Sequence, residues 1–176
     1  MEFNGVAAVV AGGASGLGEG AARALAAEGC KVAIFDLQEE RGRQVADELG
    51  GIFVRCDVSS SESAEAAFAA AREAHGPCGI AVNCAGIAPG SRILGKSGPM
   101  PLENFDKVIQ VNLVGSFNVM RLAAADMASR EPNADGERGA IVNTASVAAF
   151  EGQIGQVAYS ASKGGVVAMT LQAARE

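Results

Sequence analysis

Two side chains in the last part of the sequence are spaced for proton transfer. Tyr159 and Lys163 lie four residues apart in the segment YSASK, so on a helix they share one face. A free phenol has a pKa near ~10 and is a poor base at neutral pH, but a nearby ammonium group favours the phenolate. The pair therefore predicts an acid/base centre in which Lys163 lowers the pKa of Tyr159.

Two further polar residues are candidates for the same site. Ser146 lies at the end of a predicted strand, where its hydroxyl can bind a substrate oxygen on which charge develops. Asn112 falls on the apolar face of a predicted long helix, and a buried amide needs hydrogen-bond partners. Two roles stay open for Asn112, a polar function in the site or a structural hydrogen bond. Because His75 is the only histidine, a metal site that needs two imidazoles is excluded.

A glycine-rich segment near the amino end has the pattern of a phosphate-binding turn. Gly12, Gly16 and Gly18 directly follow the predicted first strand. Such a turn brings backbone amides and the positive end of the next helix close to a pyrophosphate. The pattern Gly16-x-Gly18-x-x-Ala21 also fits, but we favour the first because the turn must follow the strand directly. A tight turn that binds no ligand is the alternative.

Acidic residues end the next two predicted strands. Asp36 is placed to accept hydrogen bonds from both hydroxyls of an adenosine ribose, and it would repel a 2′-phosphate. Neither Ser15 nor Leu37 offers a cation to that phosphate, so the sequence favours NAD over NADP. A simple turn role remains open for Asp36. For Asp57, a turn or helix cap explains the residue as well as contact with adenine does.

The elements that must position these residues alternate between short apolar runs and alanine-rich helical stretches. The predicted strands are 6–11, 31–35, 51–55, 80–84 and 140–145. The predicted helices are 16–28, 39–49, 61–75, 103–130 and 157 onward, with a loop at 86–101. This repeat predicts an α/β fold, a Rossmann-type doubly wound parallel sheet with helices on both faces. Parallel pairing brings the carboxyl ends of all five strands, and the candidate residues, to one edge.

The composition restricts the classes of partner. A net charge of −6 argues against a nucleic-acid partner, and no apolar run approaches the ~20 residues that cross a bilayer. The four cysteines contain no CxxC pair, so we expect buried thiols in a reducing compartment and a cytoplasmic protein. The sequence stops within a helical pattern. We expect 1–176 to form a single dinucleotide-binding domain without its C-terminal strands and substrate lid.

The motifs taken together resemble the short-chain dehydrogenase/reductase family over essentially the whole chain. They occur in the family's order: AGGASGLG (11–18), Asp36, CDV (56–58), NCAG (83–86), VNL (111–113), Ser146 and YSASK (159–163). Two positions depart from the family pattern, Ala11 in place of threonine and Cys84 in place of a second asparagine. The resemblance implies an oxidoreductase that transfers a hydride between NAD(H) and a secondary alcohol or ketone.

The resemblance also implies individual roles. Tyr159 is the acid/base, Lys163 holds the nicotinamide ribose, Ser146 orients the substrate, and Asn112 holds a water in a proton relay that leads from Lys163. The implied cofactor-binding residues are Gly12, Ser15, Gly16, Leu17, Gly18, Asp36, Asp57, Val58, Cys84, Ala85, Gly86, Tyr159 and Lys163. Ser146 and Tyr159 are the implied substrate contacts, and no metal is implied.

Segments 84–88 and 143–165 are similar to family members that act on 3-hydroxyacyl-CoA esters. This similarity implies an acyl-CoA substrate and a place in fatty acid metabolism, with a steroid or another small secondary alcohol as the alternative. It also implies a homo-oligomer, a dimer or tetramer, for which the small residues around Gly164 and Gly165 suit close helix packing. Packing within the chain is the other explanation for these glycines. An NAD-binding scaffold or sensor without turnover is the alternative function.

Overall fold

Five parallel strands form the central sheet of the computed structural model, which describes residues 3–176. In sheet order they are β3 (Ile52–Arg55), β2 (Lys31–Asp36), β1 (Ala7–Ala11), β4 (Ile80–Asn83) and β7 (Ala140–Asn143). All four neighbouring pairs are parallel. The chain proceeds outward from β1 on one side and returns to β4 on the other. This reversal confirms the predicted doubly wound topology.

Helices cover both faces of this sheet. The face that carries Ala8, Val10 and Ile34 packs against α1 (Gly16–Ala27) and α2 (Glu39–Leu49). The opposite face packs against α3 (Ser61–His75) and α5 (Gly115–Ala128). Successive strand residues alternate between these two apolar layers, because side chains along a strand point to opposite faces. The central strands therefore have to be apolar throughout, as the sequence predicted.

The outer strand β7 departs from that expectation. Val142 is 53% exposed and Ala140 is exposed, whereas Ile141 packs with the layer beneath α5. Only one face of this strand is covered among the described residues. The continuous apolar sequence of β7 therefore did not indicate that one face of this strand is exposed.

Two irregular segments interrupt the long connection between β4 and β7. The strands β5 (Leu94–Gly95) and β6 (Gly98–Pro99) form a short antiparallel hairpin inside the predicted loop. The predicted helix 103–130 consists of α4 (Leu102–Ile109), a π-helical turn (Gln110–Val114) and α5. A π-helical turn adds a residue to the helical register, and such turns are frequent at functional sites. This one contains Asn112.

The segment Leu102–Ala128 is long and apolar enough to cross a membrane if length and composition alone are considered. Nearly half of it is buried within the fold. The core helix of a sheet protein has the same properties, and here α5 supplies Val119, Ala123 and Met127 to the core. The length of this helix is thus explained by the sheet that it covers.

The last helix, α6 (Val157–Ala173), packs on α4, on the π-helical turn and on a 3₁₀ turn (Val147–Ala149). A Cβ at Gly165 would lie 2.7 Å from a methyl carbon of Leu113, whereas the nearest atom to a Cβ at Gly164 is 4.0 Å away. Packing within the chain therefore accounts for Gly165. It does not account for Gly164.

Candidate active site

The carboxyl ends of β1, β2, β3 and β4 surround a cleft of about 570 Å³. All of the predicted cofactor-binding residues line it except Gly16, Tyr159 and Lys163. Ile87, Lys107 and Val111 also line the cleft and were not among the predictions. The ends of four strands therefore meet at this cleft, as parallel pairing predicted, whereas Ser146, which was expected at the end of the fifth strand, is not among the residues that line it.

The glycine turn forms part of the lining of this cleft. Gly12 and Gly16 have positive φ angles of 73° and 56°. A Cβ at Gly12 would lie 2.6 Å from the amide nitrogen of Ala85, and a Cβ at Gly18 would overlap the carbonyl oxygen of Gly12. Ser15 precedes α1 and makes no capping hydrogen bond with its side chain. The first amides of α1 are thus left for an anion such as a pyrophosphate.

Asp36 is fixed by two backbone amides. Its Oδ2 accepts a hydrogen bond from the amide of Ala14 at 3.0 Å, and its Oδ1 accepts one from the amide of Gln38 at 3.0 Å. The turn role considered from the sequence is therefore real. Because each carboxylate oxygen can accept more than one hydrogen bond, both oxygens keep capacity for ribose hydroxyls.

Asp57 is also held by two hydrogen bonds. Its Oδ1 accepts hydrogen bonds from the amide of Ser59 at 2.9 Å and from the hydroxyl of Ser59 at 2.6 Å. The helix cap of α3 is Ser60 and not Asp57. Asp57 therefore forms a turn, and it also lines the cleft.

Tyr159 and Lys163 face each other across one turn of α6. The Nζ of Lys163 lies 5.8 Å from the centre of the Tyr159 ring and donates a hydrogen bond of 2.6 Å to the carbonyl oxygen of Thr144. Lys163 is only 5% exposed, and burial lowers its pKa below the ordinary value. The predicted juxtaposition of phenol and ammonium is present, with the ammonium group fixed by a main-chain carbonyl.

Ser146 lies three residues beyond β7, so the prediction that it ends the strand was wrong. It is the N-cap of the 3₁₀ turn Val147–Ala149, and its Oγ accepts a hydrogen bond of 3.2 Å from the amide of Ala148. The strand ends early because the chain turns here toward α6, which packs on this turn. The hydroxyl hydrogen of Ser146 is left free to donate to a substrate oxygen.

Asn112 is fully buried and ties three segments together. Its Oδ1 accepts from the amide of Ile87 at 2.8 Å, and its Nδ2 donates to the Ile87 carbonyl at 2.8 Å and to Ser162 Oγ at 3.1 Å. Ser162 in turn donates to the carbonyl of Tyr159 at 2.7 Å. The structural role considered from the sequence is therefore present. The relay role stays a prediction.

Gly86 lies beside both Asn112 and Lys163, the two residues of the predicted proton relay. A Cβ at this position would lie 3.2 Å from Asn112 Oδ1 and 3.8 Å from Lys163 Nζ. The absence of a side chain there leaves space between the amide oxygen and the ammonium group. A water molecule in that space would have hydrogen-bond partners on both sides.

The sequence did not identify Thr144 or Ser162 as parts of the site. Thr144 contributes a main-chain carbonyl, which has no signature in the sequence. Ser162 had one usable signal, because it lies three residues after Tyr159 on the same helix and is fully buried. A buried hydroxyl needs a partner, and its partners prove to be Asn112 and the Tyr159 carbonyl.

The cysteines are free thiols, as expected. Cys30, Cys56 and Cys78 are buried, and Cys84 is half-buried in the lining of the cleft. Burial raises the pKa of Cys56 to about 11 and that of Cys78 to about 12, so both stay protonated at neutral pH. Within residues 3–176, no group of three or more acidic, histidine or cysteine side chains is arranged to hold a metal ion.

Comparison with known proteins supports the same interpretation. Residues 6–176 match the family model described as short chain dehydrogenase. The chain is 51% identical to bovine and 49% identical to human 3-hydroxyacyl-CoA dehydrogenase type-2, each over 98% of this chain and 67% of the relative.

Solved structures agree with these matches. The crystal structure of 3-hydroxyacyl-CoA dehydrogenase type-2 from Mycobacterium avium is similar at 46% identity with a TM-score of 0.93, over 99% of this chain and 70% of that one. A short chain dehydrogenase from Mycobacterium smegmatis is similar at 30% identity with a TM-score of 0.85, over 96% of this chain and 70% of that one. The fold, the site and these similarities together establish that the chain belongs to the short chain dehydrogenase family of nicotinamide-dependent oxidoreductases.

Proposed function

We propose that this protein uses NAD(H), in preference to NADP(H), to interconvert a secondary alcohol and a ketone, and that its substrates are 3-hydroxyacyl-CoA esters. The observation that carries the proposal is the placement of the Tyr159 and Lys163 pair on α6, with Gly86 of the dinucleotide-sized cleft close to the Lys163 ammonium group.

The cleft fits a dinucleotide in three respects. Gly12 and Gly18 stand where a Cβ would collide with the backbone, the first amides of α1 lack a side-chain cap, and Asp36 is held with free acceptor capacity. Leu37 is 53% exposed beside Asp36, so an apolar side chain stands where a 2′-phosphate would need a cation. A bound nicotinamide ring supplies the hydride acceptor or donor.

The protein's own residues then handle the proton. In the direction of oxidation, the phenolate of Tyr159 takes the proton of the substrate hydroxyl, and in reduction the phenol returns it. The Nζ of Lys163 lies 5.8 Å from the centre of the Tyr159 ring, where its positive charge can stabilise negative charge that develops on the phenol oxygen. The Ser146 hydroxyl donates a hydrogen bond to the substrate oxygen as charge develops there.

The substrate class rests on the names of the relatives. Bovine, human, rat, fruit fly and mouse relatives with 47–51% identity are named 3-hydroxyacyl-CoA dehydrogenase type-2. A borneol dehydrogenase of Lavandula x intermedia is 38% identical, which keeps a small cyclic secondary alcohol as the second candidate. Steroid alcohols, which are also cyclic secondary alcohols, remain an alternative substrate for the same reason.

The test is turnover of acetoacetyl-CoA with NADH, followed by the loss of NADH absorbance, beside NADH binding followed by fluorescence. We expect turnover in the wild type, and a fall by a factor of about 10²–10⁴ in Tyr159→Phe with NADH binding retained. Ser146→Ala should also lose turnover, whereas Ser61→Ala, an exposed serine on α3, should not. Binding without turnover in the wild type would instead support a scaffold or sensor.

Two further assignments belong to the proposal. A homo-oligomer is supported by the exposed apolar side chains of α5 and α6, among them Phe117 at 52% and Leu171 at 57% exposure. A cytoplasmic location is supported by the four free thiols, which suit a reducing compartment.

A further inference from the structure

An arginine one helical turn beyond the lining of the cleft is bound to a carboxylate. Arg41 lies in the first turn of α2, three residues after Gln38, which lines the cleft. Its Nη2 donates to Oε1 of Glu19 at 2.9 Å and to Oε2 at 2.8 Å. Glu19 follows Gly18, the last glycine of the turn, so this ion pair spans the two helices that flank the ribose site.

The ion pair belongs to a small network. Glu19 also accepts hydrogen bonds from Nε and Nη2 of Arg23, at 3.0 and 2.8 Å, and Arg23 pairs with Glu48 at 2.5 Å. Both arginines lower the pKa of Glu19, so this carboxyl remains ionised through the neutral range. The Glu19 side chain is 16% exposed, whereas Arg41 is 40% exposed. Glu19 is therefore the more buried partner of this ion pair, and Arg41 is the more exposed one.

The position of Arg41 matters because of what a phosphate would require. A guanidinium binds phosphate through two parallel hydrogen bonds, and an arginine beside the end of the second strand is the usual partner of an NADP 2′-phosphate. Arg41 has the chemistry for this role and lies one helical turn from Gln38. In this structure its donors are directed to Glu19 and, through Nη1, to Gln44 at 3.0 Å.

We propose that Glu19 is a second determinant of cofactor choice, which holds Arg41 away from the adenosine 2′-position and so withholds the cation that NADP needs. Asp36 repels the phosphate directly, and Glu19 removes its counter-charge. Specificity of this kind depends on suppressing an attraction to the wrong ligand as much as on contacts with the right one. The inference rests on the dinucleotide site that is proposed above.

The experiment compares NADPH and NADH affinities by fluorescence titration in a background from which the direct repulsion has been removed. Asp36→Asn serves as that background. Into it we add Glu19→Gln, or the matched control Glu48→Gln, which removes the carboxylate that pairs with Arg23 but keeps the Glu19 carboxylate that binds Arg41. A third protein adds Arg41→Met to the pair Asp36→Asn and Glu19→Gln.

We expect Asp36→Asn/Glu19→Gln to bind NADPH on the order of tenfold more tightly than Asp36→Asn/Glu48→Gln, as one new charged hydrogen bond would give. The gain should disappear with Arg41→Met and should shrink as salt is added. NADH affinity should be the same in all three proteins. Equal NADPH affinities in the Glu19 and Glu48 variants would overturn the proposal.

A second comparison does not depend on breaking the Glu19 network. In the Asp36→Asn background with Glu19 present, Arg41→Met should leave NADPH affinity unchanged, because Glu19 already occupies the guanidinium. A loss of NADPH affinity would show that Arg41 is available despite Glu19 and would contradict the inference. Failure of the wild type to bind NADH is a different result, which would reject the proposed cofactor site itself.

Discussion

Lys163 carries its ammonium group in an almost fully buried position, where few charged side chains of proteins are found. Its Nζ has one main-chain acceptor, the carbonyl of Thr144, and the aromatic ring of Tyr159 nearby. Removal from water favours the neutral amine, which is why the pKa of Lys163 is lowered. Burial of Lys163 thus destabilises the fold, whereas the proposed mechanism needs its ammonium group beside Tyr159, a conflict that is common at functional sites.

This conflict predicts a pH dependence of stability. Because the pKa of Lys163 in the folded chain lies below its ordinary value of 10.5, the unfolded chain binds more protons between these two values. The stability that Lys163 contributes is therefore fully present above 10.5 and is lost as the pH falls through the lowered pKa. We expect the free energy of unfolding of the wild type, relative to Lys163→Met, to be larger at about pH 10 than at about pH 7.

Urea unfolding of both proteins at the two pH values measures this difference. Groups that titrate independently of Lys163 cancel in the comparison. Lys96→Met, at an exposed position in the hairpin turn, controls for the loss of one ammonium group. A difference between wild type and Lys163→Met that does not change with pH would contradict the interpretation.

At the scale of elements, the first turn of α1 is shaped by a backbone approach that excludes side chains. Gly18 contacts the carbonyl of Gly12, so the glycine turn and the helix fit together only without a Cβ. Gly20, two residues later in the same helix, has no neighbouring atom within 4 Å of a Cβ among the described residues. The two glycines of one helix therefore have opposite requirements.

We expect Gly20→Ala to raise the free energy of unfolding by about 1 kcal/mol, because alanine is the better helix former. Gly18→Ala should lower it by about 1–3 kcal/mol, since the added methyl group must push the Gly12 turn out of place. It should also weaken NADH binding, which Gly20→Ala should not. Thermal or urea unfolding, with NADH fluorescence, measures both effects. Equal effects of the two substitutions would show that the close approach does not matter.

The π-helical turn is the second element with a consequence for the site. It interrupts the long helix at Gln110–Val114, and within it Asn112 reaches the loop at Ile87 and the helix α6 at Ser162. Leu113 of the same turn fills the space left by Gly165. One irregular turn thus connects the loop that lines the cleft with the helix that carries Tyr159 and Lys163.

At the scale of the whole molecule, the distribution of exposed apolar side chains separates two surfaces. Phe117 and Leu171 lie on α5 and α6, which cover one side of the fold, and Ile154 lies in the loop before α6. Ile154 is the more exposed, at 83% against 52% for Phe117. Exposure alone would therefore make Ile154 the better candidate for an interface.

The proposed homo-oligomer, with its interface on α5 and α6, predicts instead that Phe117 lies in the interface and that Ile154 does not. Phe117→Asp should shift the protein to a smaller assembly, because it places a charge in an apolar helix interface, whereas Ile154→Asp should leave the assembly unchanged. Size-exclusion chromatography with light scattering measures the mass of each variant. A wild type that is monomeric, or a Phe117→Asp variant that assembles like the wild type, would reject the helix interface.

Local rules were enough to predict much of this protein from its sequence. The alternation of strands and helices, the glycine turn, Asp36 at a strand end and the pairing of Tyr159 with Lys163 each depend on residues close together in the chain. Parallel topology then implied that the strand ends meet. Boundaries were less certain, as Ser146 shows, because a strand ends where its partner strand and the following turn allow it to end.

The sequence by itself therefore determined the fold class, the cleft and the juxtaposition of Tyr159 and Lys163, because periodicity, turn chemistry and helical spacing are local properties. Only the tertiary structure showed which other groups complete the cleft and the site around Tyr159 and Lys163. The Thr144 carbonyl under Lys163, the bonds of Asn112 to Ile87 and Ser162, and the pairing of Glu19 with Arg41 all join distant segments. Such contacts depend on how helices pack on the sheet and on main-chain groups that every residue carries, and neither leaves a pattern in the order of the amino acids.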